Sequence, residues 1–168
     1  MPKIIENLES RLIDEARHQI ETFGYSAVTI RSVAAACGVG VGTVYNYFSS
    51  KDALLATYML RDWKECIRII EAVSVQSDNS RDVAKCIYDQ LLKFSACHQS
   101  IFRDESATAN FAGSFSRYHD LLRSQLADPL RKFCETDFAA LFVAEALLTW
   151  TMADRSFDEI YGMIDKLF

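Results

Sequence analysis

Four of the six glycines in this 168-residue chain fall between Gly24 and Gly42, and the chain holds only two prolines. Glycine and proline are the residues that most readily interrupt a helix. Their scarcity elsewhere leaves long stretches free to be helical and predicts an all-α fold. Their clustering confines the sharpest turns to the N-terminal quarter. The chain there reads as a helix stopped by Gly24 in a left-handed cap, a second opened by Thr29, a turn at Gly38 and a third opened by Gly40.

The apolar pattern agrees. Ile5, Leu8, Leu12, Ala16, Ile20 and Phe23 recur at steps of three or four, which marks an amphipathic first helix. Thr29 is a suitable N-cap for a helix that turns Ile30, Val33, Ala34 and Cys37 inward. Val39 and Val44 stand where a hydrophobic staple would, on either side of Gly40, and Val44 shares an inner face with Phe48. Ser50 opens a fourth helix, with Asp52 in its first turn, that continues through Leu54, Tyr58, Trp63, Ile67 and Ile70 to about residue 74. After the polar link 75–80, helices are predicted at about 81–98, 105–126, 137–154 and 156–167, with Asp128-Pro129 as a break. The expected organisation is a three-helix domain over 1–50, joined through a long helix to a larger helical domain over 51–168.

Composition excludes several classes. Half the residues are hydrophobic and a quarter charged, as in globular proteins. No apolar run approaches the roughly 18 residues that span a bilayer, and the start of the chain lacks the apolar centre of a signal peptide. The expectation is a cytoplasmic protein without a membrane partner. Five cysteines (37, 66, 86, 97 and 134) form no C-x-x-C pair and are expected as reduced thiols. The three histidines and scattered acids make no nucleophilic triad, and there is no phosphate-binding glycine loop, so neither an enzyme nor a cofactor is expected. Cys86, Cys97, His98, Asp104, Glu105 and His119 are metal-ligand types, but their spacing matches no zinc or copper pattern, so no metal is expected.

The third helix carries the functional signal. With Val44 pointing inward, the 100° step puts Gly42 and Asn46 nearly opposite, and Thr43 and Tyr45 on the flanks. A helix-turn-helix places such a helix in the DNA major groove. Asn46 suits a base edge, most naturally adenine, and Thr43 a base or phosphate. Tyr45 and Tyr47 carry hydroxyls for phosphate oxygens, and Gly42 permits close backbone approach. Thr29 and the free N–H groups beside it form a phosphate site, flanked by Arg31 and Lys51 as backbone clamps. The net charge of −5 does not oppose this reading, because residues 22–51 carry two positive charges and no negative one. The chain beyond residue 51 accounts for the whole −5.

Residues 8–56 resemble the DNA-binding domain of the tetracycline-repressor (TetR) family of bacterial regulators. The resemblance rests on Phe23-Gly24-Tyr25, Thr29 with Arg31 and Val33-Ala34, and Cys37-Gly38-Val39. Most specific are Gly42-Thr43-Val44-Tyr45, Tyr47-Phe48 and Ser50-Lys51-Asp52 with Leu54-Leu55. It implies that Thr29, Arg31, Gly42, Thr43, Tyr45, Asn46, Tyr47 and Lys51 face a double-stranded DNA operator. Two positions depart from the family pattern: Gly40 stands where serine is usual, and Val41 where a polar or basic residue is common.

The resemblance also implies that the C-terminal domain binds an effector and dimerises. No motif identifies the ligand. Trp63, Tyr88, Phe111, Phe115 and Tyr118 are the candidate contacts, and they favour a hydrophobic or aromatic small molecule. Phe138, Leu141, Phe142, Glu145, Ala146, Leu148, Thr149 and Met152 form one broad face near the C-terminus. Phe157, Ile160, Tyr161, Ile164, Leu167 and Phe168 form another. The resemblance implies a homodimer built from these two helices, hence a pseudo-palindromic operator and a ligand-responsive repressor. The alternative from a different class is a helical small-molecule-binding or scaffold protein with a vestigial helix-turn-helix.

Overall fold

The structure, a computed structural model, describes residues 7–168, apart from the side chains of 108–117. Its helices are α1 (Leu8–Phe23), α2 (Ile30–Ala36), α3 (Val41–Tyr45), α4 (Lys51–Gln76) and α5 (Ser80–Cys97), then α6 (Gln99–Phe102), α7 (Glu105–Ala127), α8 (Asp137–Met152) and α9 (Phe157–Ile164). Short 3₁₀ turns follow α1, α7 and α9, the second of them at Asp128–Leu130, where the proline was expected to break the chain. Among the described residues there is no strand, and no helix is long and apolar enough to cross a membrane. The first-helix residue Ile5 lies outside the described residues.

The chain gathers into two compact units. One runs to Asp62 and takes in His98–Phe111; the other comprises Trp63–Cys97 and Ala112–Phe168. Compactness therefore divides α4 between Asp62 and Trp63, whereas the chain pattern divides before Lys51. The reason is that Leu54, Leu55 and Tyr58 are completely buried in the N-terminal core. At roughly 1.5–3 kcal/mol for each large apolar side chain, that burial outweighs the turn at Ser49-Ser50.

The first unit is built around Leu12, Ala16 and Ile20 of α1, Val33 and Ala34 of α2, and Val44 of α3, all buried. Ile101 of α6 and Ala107 of α7 join the same core. Phe23 does not: it is 66% exposed, although it continues the α1 stripe. The chain turns at Gly24, and the buried ring of Tyr25 enters the core instead. Gly24 has φ 81° with ψ 167°, an extended glycine conformation rather than the left-handed helical cap expected from sequence. Its N–H donates to the Ile20 carbonyl at 2.9 Å, so the helix end is still satisfied.

His98, at the start of α6, is fully buried within this unit. Its ring meets Tyr58 edge-on at 4.6 Å, and Nε2 lies 3.4 Å from Asp62 Oδ2. Burial pushes its pKa down to about 4, although Asp62 pulls the other way. The carboxylate of Asp104 accepts the Ser26 hydroxyl at 2.6 Å and the N–H groups of Ser106 and Ala107, capping α7. Those hydrogen bonds hold its pKa below the usual carboxylate value.

In the second unit α5 packs against α8 and α9. Val83, Ala84, Ile87 and Leu91 of α5 are buried, as are Ala140, Val143, Ala144, Leu147 and Leu148 of α8 and Ile160 and Ile164 of α9. Thr136 caps α8, and Ser156 with Glu159 forms a full capping box on α9.

Candidate nucleic-acid interface

The geometry of α2 and α3 is set by side-chain-to-backbone bonds. Thr29 is extended, and its Oγ1 accepts the Ser32 N–H at 3.0 Å. The Ser32 hydroxyl oxygen accepts the Thr29 N–H at 3.0 Å, closing a capping box with serine in the place usually held by Glu or Gln. The Ser32 hydroxyl also reaches the Gln19 Oε1 of α1 at 2.6 Å, and Gln19 Nε2 donates to Glu15. At the other end of α2, Arg11 donates to the Cys37 carbonyl at 3.1 Å. These bonds fasten α2 to α1 at both ends.

Gly38 has φ 69°, which an L-residue adopts only under strain, and it turns the chain toward α3. Gly40 is extended, and its carbonyl accepts the N–H groups of Thr43 and Val44. Val44 is completely buried and Phe48 nearly so, with Val39 packed against the same core. These anchors fix the rotation of α3 about its axis. Val41, Gly42, Tyr45, Asn46 and Tyr47 are consequently exposed, while Thr43 is half-buried. A Cβ built on Gly42 would have no neighbour within 4 Å.

Arg31 is exposed at the start of α2, beside the Thr29 cap. Lys51 has a structural role that its sequence context did not reveal. Its ammonium donates to the Tyr25 carbonyl at 3.1 Å and sits 3.7 Å from the centroid of the Tyr25 ring. The Tyr25 hydroxyl in turn donates to Asp52 Oδ1 at 2.6 Å. Lys51 thereby ties the turn after α1 to the start of α4, and still carries further N–H donors for a phosphate. The eight DNA-facing candidates thus all belong to one compact unit, around α2, α3 and the start of α4. The Gln19–Ser32 and Arg11–Cys37 links were missed, although a glutamine on the inner face of α1 was a usable signal.

The effector candidates occupy separate neighbourhoods. Trp63 is buried, its ring edge-on to Phe94 at 5.4 Å and its Nε1 donating to Gln125 at 2.7 Å. Tyr88 packs on Phe157, and its hydroxyl donates to the Arg155 carbonyl. Tyr118 is exposed, and the side chains of Phe111 and Phe115 lie outside the described residues. An open surface cleft of about 360 Å³ is lined by Arg81, Asp82, Lys85, Ser156, Phe157 and Asp158 rather than by these aromatics. Among the described residues no group of three or more His, Cys, Asp or Glu side chains is placed to hold a metal ion. Burial pushes the thiols of Cys37, Cys86 and Cys134 up, away from the reactive thiolate.

Residues 12–58 match the family model described as bacterial regulatory proteins, tetR family. The helix-turn-helix-type transcriptional regulator YhgD of Bacillus subtilis is 27% identical over 107 residues, 60% of this chain and 54% of that protein. The helix-turn-helix-type transcriptional regulator SAB2452 of Staphylococcus aureus is 24% identical over 160 residues, 90% of this chain and 82% of its own length. The match thus spans about half of the first relative and most of the second. Among solved structures, the Streptomyces coelicolor A3(2) protein SCO7518 shares the fold with a TM-score of 0.72 and 14% identity, over 96% of this chain and 98% of its own.

Proposed function

We propose that the chain, whose residues 12–58 match the model of the tetR family of bacterial regulatory proteins, is a helix-turn-helix transcriptional regulator of that family: a ligand-responsive repressor that binds a pseudo-palindromic operator as a homodimer. The observation that carries this reading is the outward surface of α3. Its two buried anchors, Val44 and Phe48, leave Tyr45, Asn46 and Tyr47 exposed with Gly42 bare between them. Tyr45 and Tyr47 stay about half exposed, although the Tyr47 ring lies tilted to that of buried Phe48 at 6.5 Å.

In this reading Asn46 hydrogen-bonds a base edge, and Thr43 a base or phosphate. Tyr45 and Tyr47 donate to phosphate oxygens from rigid side chains. The Thr29 hydroxyl oxygen is engaged by the Ser32 N–H, which leaves its proton for a phosphate. Arg31 and Lys51 clamp the backbone on either side. DNA domain and effector domain are assigned to 1–50 and 51–168.

Dimerisation is supported by α8. Phe138, Phe142, Glu145, Thr149 and Met152 recur at steps of four and three, as along a two-helix seam. Phe138 is 75% and Phe142 51% exposed, while Ala140, Val143, Ala144, Leu147 and Leu148 fill the core behind them. Exposed aromatics on a regular stripe are costly to leave wet, and a second copy of α8 and α9 would cover them. Two-fold symmetry then places the two reading helices on half-sites about one DNA turn apart.

The effector is proposed to be a hydrophobic or aromatic small molecule bound by the chain beyond residue 51 through Trp63, Tyr88, Phe111, Phe115 and Tyr118. It would act by favouring the dimer arrangement that does not fit the operator. Moving the population almost completely from one arrangement to the other takes about 5.5 kcal/mol of differential affinity.

The test is a gel shift against fragments from upstream of the chain's own gene and its neighbours. Wild-type protein is expected to bind one fragment specifically in the presence of competitor DNA. Tyr45→Ala with Asn46→Ala should weaken that binding about a hundredfold, or about 3 kcal/mol for two lost contacts. Absence of specific binding to any genomic fragment at low salt would overturn the reading and favour the ligand-binding or scaffold alternative.

A further inference from the structure

Val41 is 36% exposed at the first position of the reading helix, yet it is aliphatic. Its neighbours make the position stand out. Gly40 before it and Gly42 after it have no side chains, and a Cβ at Gly42 would point into open space. Thr43 Oγ1 lies 3.8 Å from where a Cβ on Gly40 would be. The start of α3 therefore presents a single isopropyl group, about a third exposed, between two residues without side chains. Charge does not explain it, because residues 22–51 carry no acid and only Arg31 and Lys51 as bases. Val41 is not part of the core cluster either, which takes Val44 and, partly buried, Val39 from this segment.

A groove edge offers few partners to an isopropyl group. Donors and acceptors of the bases gain nothing from it, and a phosphate would lose solvation against it. The one apolar feature in the major groove is the C5-methyl group of thymine. The flanking glycines let the backbone come close enough for that contact, which a bulkier helix start would hold off. We infer that Val41 is a specificity-determining residue that selects thymine by packing on its C5-methyl group, once in each half-site. The inference rests on the proposed DNA-binding function and deepens it by naming a base.

The experiment uses the full-length protein and an operator fragment obtained by selection from genomic DNA. Each thymine in one half-site is replaced singly by uracil, which removes the methyl group and leaves every hydrogen-bonding atom in place. Burial of one methyl-sized group leads us to expect about fourfold weaker binding at one thymine and no change at the others. Val41→Ala should bind the uracil and thymine operators equally at that position. Thr43→Ser, which deletes the competing methyl group on α3, should keep the fourfold preference. Circular dichroism at matched temperature checks that both variants remain folded, as expected for a half-exposed position.

Three results would overturn the inference while leaving the repressor intact: equal wild-type affinity for every uracil operator, preference retained in Val41→Ala, or preference lost in Thr43→Ser. Failure to select any specific fragment would instead overturn the DNA-binding reading, and this inference with it.

Discussion

The exposed face of α3 and the exposed face of α8 are both left uncovered by the packing of their own unit, but they are chemically unlike. The α3 face mixes bare backbone and hydrogen-bonding groups: Gly42, Asn46, half-buried Thr43 and tyrosines that end in hydroxyls, with Val41 as its one aliphatic member. The α8 face is large and apolar, with Phe138, Phe142 and Met152 around a polar centre. There Glu145 accepts the Thr149 hydroxyl at 2.8 Å and lies 3.5 Å from His119 and Arg123. A surface that meets a wet, charged polymer keeps its hydrogen-bonding groups. A surface that meets a second copy of a protein keeps bulk, with one polar cluster to set the register. The contrast is the ground for proposing a different partner for each face.

The largest expected effect breaks the contrast if it fails. Phe138→Asp with Phe142→Asp puts two charges on the α8 stripe, and truncated interface aromatics commonly cost about 2 kcal/mol each. Since a two-fold dimer carries both substitutions twice, it should weaken by at least about 4 kcal/mol, a thousandfold or more. Sedimentation should then find monomer at micromolar concentration, while Tyr45→Ala with Asn46→Ala stays dimeric. Dimer persisting in the doubly charged variant would remove α8 as the interface.

A second prediction separates either face from the stability of the unit beneath α3. His98 is buried neutral and takes its proton only near pH 4, whereas in the unfolded chain it does so near 6.5. The unfolded state therefore binds more protons between those values, and stability falls as pH drops through the window. The loss reaches about 3 kcal/mol at the acid end, at about 1.4 kcal/mol per unit of pKa difference. Chemical denaturation at pH 7 and pH 4.5 should reveal it, and His98→Gln should flatten the slope. A slope unchanged in that variant would move the acid sensitivity elsewhere, to the carboxylates.

The smallest effect sharpens the border of the α3 surface. Thr29 both caps α2 and is assigned to phosphate, so the two roles should divide under substitution. Thr29→Ser keeps the cap and the hydroxyl. Thr29→Ala should cost about 1 kcal/mol of stability and also weaken DNA binding. If Thr29→Ala destabilises the fold but binds DNA as wild type does, the phosphate contact is not made there.

Most of this fold was legible in the chain. Thr29, Gly38, Gly40 and Ser50 mark ends because each supplies a cap or a backbone angle that depends on local chemistry alone. The long helices were legible for the same reason, since 3.6-residue periodicity is a property of a segment. What failed did so at junctions. Phe23 continued the stripe of α1, yet Tyr25 took the core position beyond the Gly24 turn. The four-residue helix α6 was too short to show a period. The membership of His98–Phe111 in the N-terminal unit depended on Ile101 and Ala107 finding its core. The structural role of Lys51 depended on the Tyr25 ring arriving beside it.

By itself, the sequence determined that the chain is helical, where its N-terminal helices begin and end, and which side of α3 points away from the core. Those are consequences of dihedral preference, capping and periodicity, which act within a few residues. Only the tertiary structure decided that α4 divides at Asp62, that His98 is buried beside Tyr58, and which residues of α8 remain uncovered. Burial is a relation between segments distant in sequence, and it exists only when the whole chain has settled which surfaces meet.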